Sequence, residues 1–170
     1  MADALVFHFD DETEARIRDL WKRLGEAGIP GAGDRPRVTL AVAGSIPPPA
    51  RKALRGELEL LSIPDLWLHT LGTLPGDERM LLLGAVVDTE LLAVHSAVHD
   101  VLAGKVKNPS AYYFPGAWIP CCVLAEGLGT DQLAAAFSTL LPPEPVRAAV
   151  REISIVNTGT GDAETLLTTR

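Results

Sequence analysis

Two adjacent cysteines, Cys121 and Cys122, follow a proline at the head of an apolar run and are the only cysteines in the chain. A deprotonated thiol is a nucleophile or a base, so either residue is a candidate for catalysis. They do not indicate a disulfide framework, because adjacent strand residues point to opposite faces and a vicinal bridge is strained. No CxxC spacing accompanies them, and we predict neither a metal site nor a cofactor.

The cysteines belong to a weak internal repeat. The stretches "RPRVTLAVAG" (35–44) and "IPCCVLAEGL" (119–128) share a proline followed four residues later by Leu-Ala. A duplicated β-α-β unit can bring two matching strands together around a pseudo-two-fold axis, and the cleft between them is a natural binding site. Because strand side chains alternate, the residue after each proline shares a face with the residue two positions later. The predicted cleft pairs are Arg37 with Thr39 and Cys121 with Val123.

In this layout the chain resembles the 2H phosphoesterase superfamily, in particular its bacterial 2′-5′ RNA ligase-like members. The resemblance lies in "RPRVTLAVAG", "LGTLPGDERMLLLGAVVDTELLAVHSAVH" and "YYFPGAWIPCCVLAEGL", and it spans roughly residues 3–158. Members carry one His-x-Thr/Ser motif in each lobe. The resemblance implies two histidines acting as general base and general acid on a 2′,3′-cyclic or 2′-5′ phosphodiester, with the hydroxyls holding the phosphate.

The signature positions depart from that pattern, so the chain resembles a degenerate member. Arg37 and Cys121 stand where the two histidines would be, Thr39 keeps the first hydroxyl, and Val123 replaces the second. Arginine does not deprotonate at usable pH, and valine donates no hydrogen bond. We therefore do not expect ordinary phosphodiester hydrolysis or RNA ligation, which need one group to take a proton and another to give one.

The replaced pair predicts different chemistry. A guanidinium near a thiol favours the thiolate, so Arg37 is expected to lower the pKa of Cys121. Arg37 and Thr39 would bind a carboxylate or an enolate oxygen while Cys121 acts as base or nucleophile. This predicts a lyase, isomerase or cyclase in specialised metabolism, acting on an acidic or carbonyl-rich small molecule by cyclisation, dehydration, conjugate addition or isomerisation. The alternatives are an inactive nucleotide- or phosphate-binding module and a residual 2′,3′-cyclic or 2′-5′ phosphodiesterase or RNA ligase.

Three further residues are candidate substrate-binding groups. His8 lies on the first strand, which in the resembled family neighbours the motif strand, and would replace a lost acid-base group. Tyr113 and Trp118 flank the second motif, where aromatic rings can stack on a flat ligand or close the cleft. The loop that carries Tyr113, residues 104–117, is long enough for a lid.

Structural roles compete with each functional one. Cys122 is expected in the core, because it faces away from the cleft. Arg37 could instead be an edge charge paired with Asp34, and Thr39 a plain strand former. His95 and His99 are spaced to reach one metal, yet they lie in an ordinary amphipathic helix without an acidic motif, so packing is expected.

Composition limits the class of protein. The chain has 170 residues, 47% of them hydrophobic, which fits one compact domain. A formal charge of −7 argues against a broad grip on nucleic acid, which relies on Lys and Arg. No apolar run approaches the ~20 residues of a membrane span. We predict a soluble cytoplasmic protein with a small-molecule substrate, no membrane and no nucleic-acid partner.

The elements predict an α+β fold: a two-lobed, duplicated β-α-β arrangement whose two antiparallel sheets form a central cleft, with lobes of approximately 1–85 and 86–170. A hairpin is expected through "PGDE" (75–78), and helices are expected to begin near Asp10 and Asp88. The predicted strands are residues 4–10, 37–44, 66–74, 79–87, 118–127 and 150–158, with helices after the first and second strands, after residue 88 and at 130–141.

Overall fold

The computed structural model describes residues 1–33, 35–76 and 79–169, and their elements follow the predicted order closely. Asp77 and Glu78 of the predicted turn, and Asp34, lie outside these residues. The strands are β1 (Asp3–Phe9), β2 (Val38–Ser45), β3 (Leu66–Gly72), β4 (Leu81–Ala85), β5 (Lys107–Pro109), β6 (Cys121–Ala125), β7 (Val146–Ala148), β8 (Val150–Asn157) and β9 (Ala163–Thr168). The helices are α1 (Asp11–Glu26), α2 (Pro48–Leu60), α3 (Thr89–Leu102) and α4 (Thr130–Leu140).

Every strand pairing among the described residues is antiparallel, and the α+β class is confirmed. The strand order is β7-β3-β4-β6-β2-β1-β8-β9, with β5 on the edge of β2. The two predicted sheets are therefore the halves of one curled sheet. They join where Val38 of β2 pairs with Cys122 of β6, which is the single Cα pair in that register.

The connectivity differs from two lobes divided near residue 85. β8 and β9 lie beside β1, and β7 lies beside β3, so each half of the sheet takes strands from both ends of the chain. The physical reason lies in β1, whose seven residues are all buried. A strand with no exposed position needs a neighbour on each edge, and β8 supplies the second one.

The helices and one face of the sheet enclose the main core. Buried residues of all four helices, such as Ile17, Leu54, Val98 and Ala136, belong to one cluster with strand residues. Cys122 is fully buried in that cluster, so its predicted packing role is confirmed. The opposite, open face carries a second, small apolar cluster formed by Ala4, Val6, Val156 and Val42.

A bulge in β2 changes which side chains reach the open face. Val6 of β1 pairs with Thr39 and the preceding Leu5 pairs with Ala41, so Leu40 has no opposite residue. One extra residue reverses the alternation of a strand. Thr39 is therefore on the open face, and so is Val42 beyond the bulge.

The sequence signals for helix starts are confirmed. Asp10 accepts a hydrogen bond from the Thr13 amide at 2.9 Å, and Asp88 accepts one from the Leu91 amide at 2.8 Å. The predicted β3–β4 pairing also forms, and the tail adds β9 at the sheet edge. The predicted loop 104–117 contains β5 and a short 3-10 turn at Ala111–Tyr113. No helix in the described part of the chain has the length and apolarity to cross a membrane.

A buried carboxylate fastens the start of β1 to its surroundings. Asp3 accepts hydrogen bonds from the Ile46 amide at 2.9 Å, from Arg51 at 3.1 Å and from the Asn157 amide group at 3.2 Å. Arg51 also pairs with Glu164 of β9 at 2.7 Å. This network joins β1, the end of β2, α2 and the β8–β9 hairpin.

Replacing Asp3 with alanine is expected to lower the free energy of unfolding by about 2–4 kcal/mol, because it leaves a buried amide and a partly buried guanidinium without their acceptor. Urea unfolding followed by circular dichroism measures the change. Asp65→Ala is the matched control, because its carboxylate pairs with the exposed Arg147 at 3.2 Å, and such a pair contributes about 0–1 kcal/mol. Equal losses in the two variants would contradict a structural role for the network.

Candidate functional site

The structure brings the four signature positions to one cavity. Continuing the antiparallel register on either side of the Val38–Cys122 pair places Arg37 opposite Val123 and Thr39 opposite Cys121. All four side chains line a cavity of about 480 Å³ on the open face of the sheet. Of the other predicted site residues, His8 and Tyr113 line the same cavity.

Two arginines enter the cavity, and they differ in their pairing. Arg35 contacts Glu152 at 3.0 Å and Glu14 at 3.4 Å, so its charge is balanced. Arg37 is half-buried and makes no salt bridge with any residue in the described part of the chain. The expected alternative, a pairing of Arg37 with Asp34, stays a prediction, because Asp34 lies outside the described residues. Of the two described arginines that line the cavity, Arg37 is therefore the one without a salt bridge to a described residue.

His8 is a buried base on the cavity wall. It lies on β1 next to the motif strand, and its Nδ1 donates a hydrogen bond to the Pro36 carbonyl at 3.3 Å. Burial and the nearby Arg35 lower the pKa of His8, with Arg37 adding to the effect. The ring is consequently neutral at pH 7, and because Nδ1 carries the proton, Nε2 has a free lone pair.

The expected activation of Cys121 is wrong. Burial raises the pKa of the Cys121 thiol to about 11. Desolvation is the cause of this shift, and Arg37 does not offset it. Cys121 is therefore a neutral thiol at physiological pH, unsuited to act as a base or a nucleophile.

Trp118 supports the cavity wall and does not line the cavity. Its indole N–H donates to the Thr39 carbonyl at 2.8 Å, and its ring stacks on His95 with centroids 3.9 Å apart and planes 2° apart. His99 donates to the Leu40 carbonyl at 2.9 Å. These two carbonyls lie where β2 has diverged from β6, so side chains replace the missing strand neighbour. These contacts give Trp118 a structural role, and its predicted contact with a ligand stays a prediction.

The same contacts fix the loop that carries Tyr113. His95 donates its Nε2 proton to the Tyr113 carbonyl at 2.8 Å, and the Ser110 amide donates to the Val42 carbonyl at 2.8 Å. Burial and His99 lower the pKa of His95 to about 4, which keeps its ring neutral. The histidine pair packs the loop onto α3, as expected for a structural role. No group of three metal-ligating side chains occurs within residues 1–33, 35–76 and 79–169.

Solved structures with a similar fold include Usb1 from Kluyveromyces marxianus. That structure is 10% identical over 97% of both chains, with a TM-score of 0.55. Its complex with uridine monophosphate is 12% identical over 97% of both chains, with a TM-score of 0.54. Usb1 is a U6 snRNA phosphodiesterase of the 2H phosphoesterase superfamily. The chain has a 2H phosphoesterase-like fold. No family model and no curated protein matches the sequence.

Within the 2H-like fold, sequence reasoning missed one wall of the cavity. Residues at the turn between β8 and β9 reach it because β8 pairs with β1. A signal was present in "NTGTGD" (157–162), a turn sequence after an apolar strand, but its distance from both motifs in sequence gave no reason to place it there. The lining residues that were not predicted include Trp21, Arg35, Met80, Ile119, Glu126, Asn157, Thr158, Gly161 and Ala163.

The pKa of Cys121 predicts slow alkylation. In a Cys122→Ala variant, the rate of reaction with iodoacetamide should rise about tenfold per pH unit from pH 7 to pH 10, without a plateau. At pH 7.5 it should be roughly a hundredfold slower than for an unperturbed peptide thiol, whose pKa is about 8.5. Mass spectrometry of timed samples gives the rates. Cys121→Ala is the control, because Cys122 is buried and should not react. A plateau in the rate below pH 9 would contradict the raised pKa of Cys121 and would support the expected activated thiolate.

Proposed function

We propose that the 2H-like cavity binds a small ligand through an anionic group, and that it does not cleave phosphodiesters by the two-histidine mechanism. The observation that carries the proposal is Arg37, a half-buried cation on the cavity wall with no salt bridge to a described residue. A cation held in a concave, partly desolvated site favours a carboxylate or phosphate. Thr39, on the same wall, can add a neutral hydrogen bond.

The absence of an acid-base pair at the signature positions supports the second half of the proposal. In-line cleavage requires two groups whose pKa values lie near the working pH. Arg37 stays protonated, and the pKa of Cys121 is about 11. Val123 offers no hydrogen bond where the resembled family has a hydroxyl. Residual phosphodiesterase or ligase activity is therefore the least favoured of the predicted alternatives.

The ligand is expected to be small. The cavity holds about 480 Å³, and the chain carries a formal charge of −7, which disfavours a long polyanion. A single phosphate or carboxylate avoids that repulsion, because only one local cation is needed. This distinguishes a small metabolite from an RNA strand as the occupant.

Binding through Arg37 predicts that Arg37→Gln weakens the affinity for the tested anion about tenfold or more, since charge-assisted hydrogen bonds are lost. Isothermal titration calorimetry with inorganic phosphate, uridine monophosphate and succinate measures this at low and high salt. Arg151→Gln, an exposed arginine outside the cavity, controls for the change in net charge. Equal affinities of Arg37→Gln and Arg151→Gln, or no binding of any anion by the wild type, would refute the proposal.

A second candidate function is proton transfer by His8, which one observation favours. The Nδ1 of His8 is occupied by the Pro36 carbonyl, and this leaves Nε2 free to accept a proton beside the Arg37 cation. Abstraction of a proton next to a carbonyl gives an imidazolium and an enolate, whose charge Arg37 can stabilise. This retains the isomerase, lyase or cyclase prediction with His8 in place of Cys121. A place in specialised metabolism stays a prediction.

The second candidate predicts that the protein catalyses exchange of the α-protons of small keto acids with D₂O. His8→Gln should lower the exchange rate at least a hundredfold, because glutamine accepts hydrogen bonds but not protons. Proton NMR of pyruvate and 2-oxoglutarate follows the exchange. His69→Gln is the control, because His69 is exposed on β3, and Cys121→Ser should retain the activity. Exchange that survives in His8→Gln, or that is absent from the wild type, would count against this function.

A further inference from the structure

Three large apolar side chains are exposed on the open face of neighbouring strands. Trp67 of β3 is 47% exposed, Val86 after β4 is 46% exposed, and Ile119 before β6 is 53% exposed. Single exposed apolar residues are common on protein surfaces, but a contiguous group next to a cavity indicates a binding surface. We call these three residues the apolar row.

The strand register places the row in line. The Val86 amide donates to the Trp67 carbonyl at 2.8 Å, so these two residues are cross-strand neighbours. On the other side, Gly84 pairs with Cys121, and the Ala85 amide donates to the Pro120 carbonyl at 2.9 Å. Continuing this register by one residue places Val86 beside Ile119. Strand separations of about 4.8 Å make the row about 10 Å long between Ile119 and Trp67.

The row is continuous with the cavity. Ile119 lines the cavity together with Cys121, which lies two residues later on the same face. On β4, Gly84 lies opposite Cys121 and two residues before Val86, and it contributes no side chain to the surface there. At its far end the row stops at Arg147, which pairs with Trp67 in register and forms a salt bridge with Asp65 at 3.2 Å. The surface therefore has a cation at Arg37 in the cavity, an apolar row that begins at Ile119 on the lining of the same cavity, and a polar boundary at Arg147.

We propose that the apolar row binds the hydrophobic part of the ligand whose anionic group lies at Arg37. This inference rests on the proposed function and specifies its ligand class: an amphipathic small molecule with a phosphate or carboxylate head and an alkyl chain or planar ring system. The shared residue Ile119 supports one ligand that spans both surfaces. Trp67 presents a wide, half-exposed indole to a ring or chain at the far end.

The inference is tested by varying the length of the alkyl chain on a phosphate ligand. The affinities of methyl, butyl, octyl and decyl phosphate, each below its aggregation concentration, are measured by isothermal titration calorimetry. Each added methylene that reaches the row should tighten binding about twofold to fourfold, so octyl phosphate should bind at least tenfold more tightly than butyl phosphate. Val86→Ser and Trp67→Ser should reduce this gain at least fivefold without changing the affinity for methyl phosphate.

Leu92→Ser is the matched control, because Leu92 is also 46% exposed but lies on α3, on the helix side of the sheet. It should leave the whole series unchanged. If methyl and octyl phosphate bind equally well and both depend on Arg37, the inference fails while the proposed function stands. If octyl phosphate binds independently of Arg37, both fail. Sedimentation of wild type and Trp67→Ser adds a further outcome: a dimer that the substitution dissociates would assign the row to a second copy of the chain and overturn the inference.

Discussion

The pairing of Val38 with Cys122 is the contact on which the geometry of the site depends. It joins the two halves of the sheet, and both residues are fully buried on the helix side. Strand alternation then directs the residues on either side of each one to the open face, where they form two cross-strand couples. A change of one residue in this register would turn the two side chains of one strand away from the cavity and separate them from the other two. Cys122 therefore has a structural role, whereas its neighbour Cys121 lines the cavity.

The chemical character of the cavity follows from which charges are balanced. Arg35 is paired with two glutamates, His8 is kept neutral by burial, and Cys121 is kept protonated by burial. Among the described residues that line the cavity, Arg37 is the cation without a salt bridge. A cavity with one arginine that has no salt bridge to a described residue and one neutral imidazole has the groups that could attract an anion and accept a proton. It has no protonated partner of suitable pKa at the signature positions to return a proton to a leaving group.

The sequence was sufficient for the elements and for the position of the motif strands, because the apolar periodicity, the aspartate caps and the Pro-x-x-x-Leu-Ala repeat are local signals. It placed His8, Arg37, Thr39, Cys121 and Tyr113 in one site. It was insufficient for the thiol, because desolvation depends on the packing of distant segments. It also missed β7, which has only three residues after a proline-rich break, and the contribution of the β8–β9 turn, which depends on long-range pairing. The structural role of Trp118 could not be predicted, because no local signal shows that a carbonyl of another strand accepts a hydrogen bond from its indole N–H.

The side chains that hold the cavity wall in place are different from the signature side chains that line it. Trp118 and His99 satisfy the carbonyls of β2, and His95 holds the loop, so the shape is maintained by side chains that do not line the cavity themselves. The residues that hold the cavity in shape are therefore different from the charged and basic residues that line it. Such separation allows the lining residues to change one at a time while the chain still folds, because the contacts that hold the wall are left intact.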